Sequence, residues 1–354
     1  MFPRFNKRNC KCEAEKSLSE LEAMIDISTL TKRFSGNVAV NNISFRVVTG
    51  EVLGVLGTNG AGKSTTLRML TGLIKPTSGT ITVCGFDISR HTRQAQRLLG
   101  YLPEGNACYG DMSVQGFLGF IARVRGYRGA ERKLRVAQML DRFELGYVRA
   151  DTIDSMSKGF KRRLGLAQAM LHDPKVLILD EPTDGLDPNQ KHHVRELISE
   201  LAKDKIVVIS THILEEVTSL CSRALIIDNG HLLADETLKQ LQSRSRYHQA
   251  VTVFGRHPLD LLALAVLPGV AGIEAGLEAH SVKVLARDGA VILPAINALI
   301  VSKGWQVRRL EEERGGLEDV FRTLTRERAA CGCCRQSSSA NSAATSPRQL
   351  RTCC

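Results

Sequence analysis

The sequence predicts an α/β protein: a large domain built on a parallel sheet with a helical insert, followed by a small α+β domain. Three stretches carry that reading. Gly57 to Thr65, GTNGAGKST, joins the apolar run EVLGVLG to STTLRMLTGL, which has helical spacing. KVLILDEP is a continuous apolar run ending in two acids, the form of a parallel strand buried on both faces. Beyond Ser243, segments with strand and helix periods follow one another as strand, helix, strand, strand, helix, strand.

The first stretch has the spacing needed to wrap a polyphosphate, matching G-x-x-x-x-G-K-[ST] at Gly57, Gly62, Lys63 and Ser64. Glycines let the backbone through Thr58, Asn59, Gly60 and Ala61 curl until successive N–H groups face one point. The helix N-terminus adds partial positive charge there. Lys63 reaches the terminal phosphates, Ser64 is placed to ligate magnesium, and Thr65 completes the nucleotide-binding run.

A chain of 354 residues suits two domains. Its 48 Lys and Arg against 37 Asp and Glu give a net charge of +11, favouring nucleic acid, an anionic membrane surface or a bound nucleotide. Aromatics are only 5% and the basic residues are scattered over expected helices, so no nucleic-acid partner is expected. No stretch approaches the ~20 apolar residues of a membrane span; LLALAVLPGVAGI is shorter and broken by Pro268. The first residues are basic and lack the apolar core of a secretory signal, so a cytoplasmic location is expected. Of ten cysteines, Cys84, Cys108 and Cys221 are isolated and the rest cluster near the termini, which is no disulfide framework.

Residues 1–23 read as a flexible lead-in, and Met24 to Ile27 open the first strand of a domain over 24–242. Phe34 is either an adenine stack or a plain core residue. NISFRVV and EVLGVLG are expected to pair across the turn Thr49-Gly50. LLGYLPEGN is a short strand ending at Pro103-Glu104. The amphipathic FLGFIARVRGYRG and ERKLRVAQMLDRFEL then mark a helical insert over about 105–172, whose last helix Ser157 caps and Asp173-Pro174 stop. At the end of KVLILDEP, Asp180 would hold magnesium and Glu181 would orient an attacking water. His212, ending the buried strand KIVVISTH at the same edge, is read as a γ-phosphate sensor. RALIIDNGHLLAD is a strand pair turning at Asp228-Asn229-Gly230. Residues 243–326 have the element order of a ferredoxin-like unit and carry no chemical constellation, suiting an accessory regulatory or dimer-supporting domain; 327–354 read as a disordered tail.

In their order and spacing, GTNGAGKST, YLPE, MSKGF, LILDEP, GLD and STH resemble the nucleotide-binding subunit of ABC transporters over about residues 24–242. The style is that of bacterial multidrug, lipid or gliding-motility exporters, and a GLEDVF-like helix extends the likeness to about residue 326. The resemblance implies a P-loop NTPase fold of ABC type that binds ATP and Mg2+. It makes Gly57 to Thr65 the Walker A loop, Asp180 the Walker B magnesium residue beside Ser64, Glu181 the general base and His212 the switch histidine. It places Asp187 in the D-loop, and Ser157 and Gly159 in the signature motif that caps the partner subunit's ATP across a head-to-tail homodimer or heterodimer. It further implies a separately encoded membrane permease, with this chain peripheral on the cytoplasmic face and without a transmembrane segment of its own. Three positions depart from the family pattern. Lys158 and Phe160 alter the usual LSGGQ, Glu104 stands where the Q-loop has glutamine, and Thr58 replaces a proline. A carboxylate at 104 helps metal binding but repels phosphate.

The expected function is therefore ATP hydrolysis that drives a membrane exporter through the helical insert. The alternatives are a non-transport ABC ATPase acting on nucleic acid or ribosomes, and a binding-only regulator suggested by Lys158 and Glu104.

Overall fold

The computed structural model describes residues 24–105 and 108–326. The lead-in, the tail and the terminal cysteine clusters lie outside the described residues. The chain divides between Leu238 and Lys239 into two units.

The first unit runs β1 (Met24–Phe34), β2 (Asn37–Val48), β3 (Val52–Leu56), α1 (Lys63–Leu70), β4 (Ser78–Val83), β5 (Phe86–Asp87), α2 (Thr92–Leu98), β6 (Leu99–Leu102), α3 (Val114–Val124), α4 (Gly129–Arg142), α5 (Lys158–Met170), β7 (Val176–Asp180), α6 (Pro188–Leu201), β8 (Ile206–Thr211), α7 (Leu214–Leu220), β9 (Arg223–Asp228) and β10 (His231–Thr237). Six strands form one sheet in the order β10-β9-β3-β8-β7-β6. All its pairings are parallel except the β9–β10 hairpin at the edge. That hairpin turns on Asn229 and Gly230, both at positive φ (46° and 73°), the two-residue turn that the Asn-Gly pair favours.

β3, β7 and β8 are buried along their whole length, as strands covered on both faces must be. β2 instead alternates, and this corrects the expected pairing of NISFRVV with EVLGVLG. β2 pairs with β1 in a separate antiparallel sheet, β2-β1-β4-β5, while β3 lies between β8 and β9. The turn is present, with Gly50 at φ 80° and Glu51 N–H donating to Val48 O at 3.2 Å, but it hands the chain from one sheet to the other. A strand apolar on both faces gains more by burial between two parallel neighbours than on a half-exposed edge. One core of Ile25, Ile27, Val55, Leu67, Leu70, Ile178 and Val208 runs through both sheets and α1. The helical insert is present as α3, α4 and α5, and Ser157 caps α5, its Oγ accepting from Phe160 N–H at 3.4 Å.

The second unit opens within α8 (Leu238–Ser243) and runs β11 (Val251–Gly255), α9 (Leu261–Ala265), β12 (Val270–Ala275), β13 (Ser281–Ala286), α10 (Leu293–Lys303) and β14 (Val307–Glu312). Its four strands are all antiparallel in the order β12-β13-β11-β14, so the strand that starts the unit is central. Val251, Val253, Val284, Leu264 and Ile296 form its core.

His172, just past α5, ties the insert to the parallel sheet, its Nε2 donating to Leu99 O at the start of β6 at 2.9 Å. Burial, reinforced by the Arg125 charge, pushes its pKa down to about 4. A neutral imidazole in the folded chain contributes stability that is fully present above pH 6.5, its ordinary value, and is lost as pH falls towards 4. The urea midpoint should accordingly drop more steeply between pH 6.5 and 4 in the parent than in His172→Gln. Equal slopes would remove His172 as the cause.

Candidate active site

The register of the parallel sheet brings the chemistry together. β3 ends at Leu56, opposite Thr211 of β8, and Asp180 at the end of β7 lies opposite Ser210. The phosphate loop, Asp180, Glu181 and His212 therefore emerge at one edge, with Glu104 following β6.

α1 starts from Gly62, which offers no side-chain cap, so its first amides are left for an anion. The loop needs glycine at two places for close approach. A Cβ at Gly57 would sit 2.3 Å from Ile227 O, and one at Gly62, where φ is 106°, would sit 2.5 Å from Ala39 O. The β9–β10 turn supports the loop from behind: Gly230 N–H donates to Ala61 O at 2.9 Å, and Thr58 Oγ1 lies 3.5 Å from Asp228 Oδ1. In front is a cavity of about 270 Å³ lined by Ala39, Thr58, Asn59, Gly60, Gly62, Lys63, Ser64, Thr65, Glu104 and Glu181. Gly57 and Ala61 shape the loop from behind rather than line this cavity.

Lys63, Asp180 and Glu181 are all buried, with 6%, 0% and 7% of their surface exposed. Lys63 Nζ donates to Gly57 O at 2.9 Å and Thr58 O at 3.3 Å, and lies 3.8 Å from Glu181 Oε1. Asp180 Oδ1 accepts from Ser64 Oγ at 3.2 Å and from Ser210 Oγ. Its other oxygen, Oδ2, is buried without a protein partner. Leaving a buried carboxylate oxygen unsatisfied is costly. An oxygen-seeking divalent cation beside Ser64 fits that need, so Ser64 and Asp180 suit Mg2+.

Glu181 has φ 50°, a left-handed conformation costing on the order of 1 kcal/mol for a residue with a side chain. It is held on every side. Its N–H donates to Ser210 O at 3.1 Å, its carbonyl accepts from Arg162 at 2.8 Å, and its Oε2 meets His212 Nδ1 at 2.9 Å. His212 is thus joined to the carboxylate expected to act on water.

Ser157 and Gly159 open α5, and Gly159 and Asp187 both adjoin Gln190 of α6; none of the three takes part in the contacts above. Ser157 and Asp187 are exposed, and Gly159 is buried where a Cβ would come 2.6 Å from Gln190. The Asp187 carboxylate caps α6, accepting from Gln190 N–H at 2.9 Å. Phe34 does not line the cavity. It stands 46% exposed at the β1–β2 hairpin with Lys32 Nζ 4.9 Å above its ring, so it is neither buried core nor already at the phosphates.

Sequence reasoning missed three residues. Ser210 is the polar break in IVVIST, a readable signal. Glu216, 1% exposed, accepts from Thr211 Oγ1 at 2.8 Å and from Thr183 Oγ1, tying together the segments that follow Asp180 and precede His212. Arg162 lies in the run Lys161-Arg162-Arg163, where only helix phase separates a buried guanidinium from two half-buried cations that meet Asp154 and Glu144.

The family model described as ABC transporter matches residues 40–184. An uncharacterized ABC transporter ATP-binding protein, YxlF, of Bacillus subtilis is 36% identical over 302 residues, covering 84% of this chain and 98% of that protein. The linearmycin resistance ATP-binding protein LnrL of the same organism is 33% identical over 305 residues, covering 85% and 98%. A solved ATP-binding subunit of an ABC transporter superimposes with a TM-score of 0.57 at 30% identity, over 62% of this chain and 92% of that one. With a phosphate loop, paired acids and a histidine at one sheet edge, and with likeness along nearly the full length of these relatives, the chain belongs to the ABC transporter family as one of its ATP-binding subunits.

Proposed function

We propose that the chain binds ATP with Mg2+ in the phosphate-loop cavity and hydrolyses it to drive a separately encoded membrane partner, as an exporter subunit on the cytoplasmic face of the membrane. The observation that carries the reading is the meeting of Ser64 with Asp180 across 116 positions of sequence, beside Lys63 and Glu181. The loop amides and Lys63 would hold the β- and γ-phosphates, and Mg2+ held at Ser64 and Asp180 would supply charge neutralisation. Glu181 would accept the proton of the attacking water as His212 fixes its carboxylate and meets the γ-phosphate. Catalysis of this kind is positioning and electrostatics around an in-line transfer. The export direction is supported by the name of a relative 37% identical over 241 residues, the Nod factor export ATP-binding protein I of Paraburkholderia xenovorans.

A second copy, or a related subunit, would complete the site. Exposed Ser157 and Asp187 stand at the starts of α5 and α6, with Gly159 packed between, a surface suited to another subunit's nucleotide. Phe34, nearly half exposed, is available to stack on adenine once the nucleotide is seated. No observation favours an ATPase acting on nucleic acid or ribosomes.

The membrane partner is assigned to the insert. A groove of about 980 Å³ between α3 and α4 is lined by Phe120, Val136 and Leu140 together with Arg123, Arg132, Lys133 and Arg149. Apolar walls with a cationic rim suit an acidic amphipathic segment of the permease. Among the described residues no helix is long and apolar enough to cross a membrane.

Glu181→Gln should lower ATP turnover by about 10²-fold or more while retaining ATP binding, and light scattering should register an ATP-dependent doubling of mass. Turnover at the parent rate in that variant would defeat the assignment. In Asp180→Asn, nucleotide affinity measured by calorimetry should lose its dependence on added Mg2+, and full retention of that dependence would place the metal elsewhere. Reversing charge at Arg123 and Arg132 to Glu should move the protein out of the membrane fraction of cells that also make the permease, with ATP turnover unchanged. Continued membrane association would assign the partner to another surface.

A further inference from the structure

Arg162 is 4% exposed, a guanidinium buried in the body of α5. Its Nη1 donates to Pro103 O at 3.2 Å and Gly105 O at 3.3 Å, the carbonyls on either side of Glu104, and its Nη2 donates to Glu181 O at 2.8 Å. Glu104 and Glu181 both line the phosphate cavity, and Arg162 lines none of it. One cation therefore fixes the backbone under two carboxylates that face the same ligand. Burial lowers its pKa, and Asp184, Asp180, Glu104 and Glu181 act in the opposite sense, so the surrounding acids offset the cost of desolvating the charge.

From this geometry we infer that Arg162 is a positioning residue: it sets the Glu104 and Glu181 carboxylates against the phosphate cavity and links them rigidly to the helix that begins at Ser157 and Gly159. The inference rests on the ATPase reading above and extends it to a residue outside the cavity. Three features support it. Glu181 is in a left-handed conformation that the chain does not favour by itself, and the Arg162 bond to its carbonyl is one of the contacts that keep it there. The carbonyls flanking Glu104 are both held by Nη1 and that of Glu181 by Nη2, so the two arms of one planar fork span both segments at once, a task for which lysine, a point charge, is poorly shaped. α5 also starts with exposed Ser157 and buried Gly159, the pair assigned to a second subunit's nucleotide. Movement at that end of the helix would thus be transmitted through Arg162 to the general base of its own site. The same cation gives a physical account of glutamate at position 104: the extra negative charge lies within the field of a buried positive one.

The test uses the full chain and Arg162→Lys, which keeps the charge and removes the fork. With ATP and Mg2+, kcat should fall about 10- to 100-fold, the size of effect expected from misplacing a reacting group. KM should stay within about twofold, because the phosphate loop is untouched. Unchanged kcat overturns the inference, and so does a parallel loss of kcat, nucleotide binding and unfolding midpoint, which is the mark of a merely structural arginine. Hydrogen exchange on the same proteins without nucleotide isolates the geometric claim. Peptides ending at Gly105 and those covering 181–186 should exchange faster in Arg162→Lys, and those covering 57–65 should not. Unaltered exchange at both of the first two segments overturns the proposal whether or not the chain hydrolyses ATP. If Glu181→Gln abolishes turnover while Arg162→Lys does not, the ATPase reading stands and the role of Arg162 falls.

Discussion

The constraint on which the rest of this molecule depends is a carboxylate with no exposed surface. A buried charge is tolerated only where polar partners replace water, and Asp180 obtains two of them, the hydroxyls of Ser64 and Ser210, from strand and helix ends far apart in sequence. Supplying those hydroxyls requires β3, β7 and β8 to end level with one another, which their parallel register provides. The continuous burial of the three strands secures that register, since slipping one of them by a residue would bring the hydroxyls out of reach of Asp180. The hydrophobic core and the site chemistry are thus two consequences of a single alignment.

A similar economy appears at Glu181. Its backbone is held by Ser210 and Arg162 and its side chain by His212, with Lys63 within reach of the other oxygen. Glu216 braces the segments on either side of this arrangement through Thr183 and Thr211. The reacting groups are few, and a larger number of buried polar groups holds them in place.

How much of this could be read in the sequence follows from how local each signal is. The phosphate loop, the acid pair and the β9–β10 hairpin were legible because short motifs dictate their backbone, Asn229-Gly230 above all. The element order of the second unit was legible from its alternating periods. The β2–β3 relation was not, because a turn such as Thr49-Gly50 serves equally well between paired strands and between sheets. What separated the cases was burial, alternating in β2 and unbroken in β3. Arg162 was hidden among three basic residues, and its role depends on which helix face meets Pro103 and Glu181. Asp187 shows the opposite case: Asp-Pro is a plain helix-start signal, and the side chain read as facing a partner also has a capping duty within its own chain.

The backing of the phosphate loop by the β9–β10 turn bears on the timing of the catalytic cycle. Ala61, Thr58 and Gly57 lean on Gly230, Asp228 and Ile227, and Gly62 on Ala39, so the curled backbone is held by permanent neighbours and need not wait for a ligand to shape it. A receptor formed in advance loses little conformational entropy when its guest arrives and regains little when the guest departs. Arrival at this cradle should then wait on no rearrangement of the loop, leaving the slow step of each turnover to larger bodies coming together and parting.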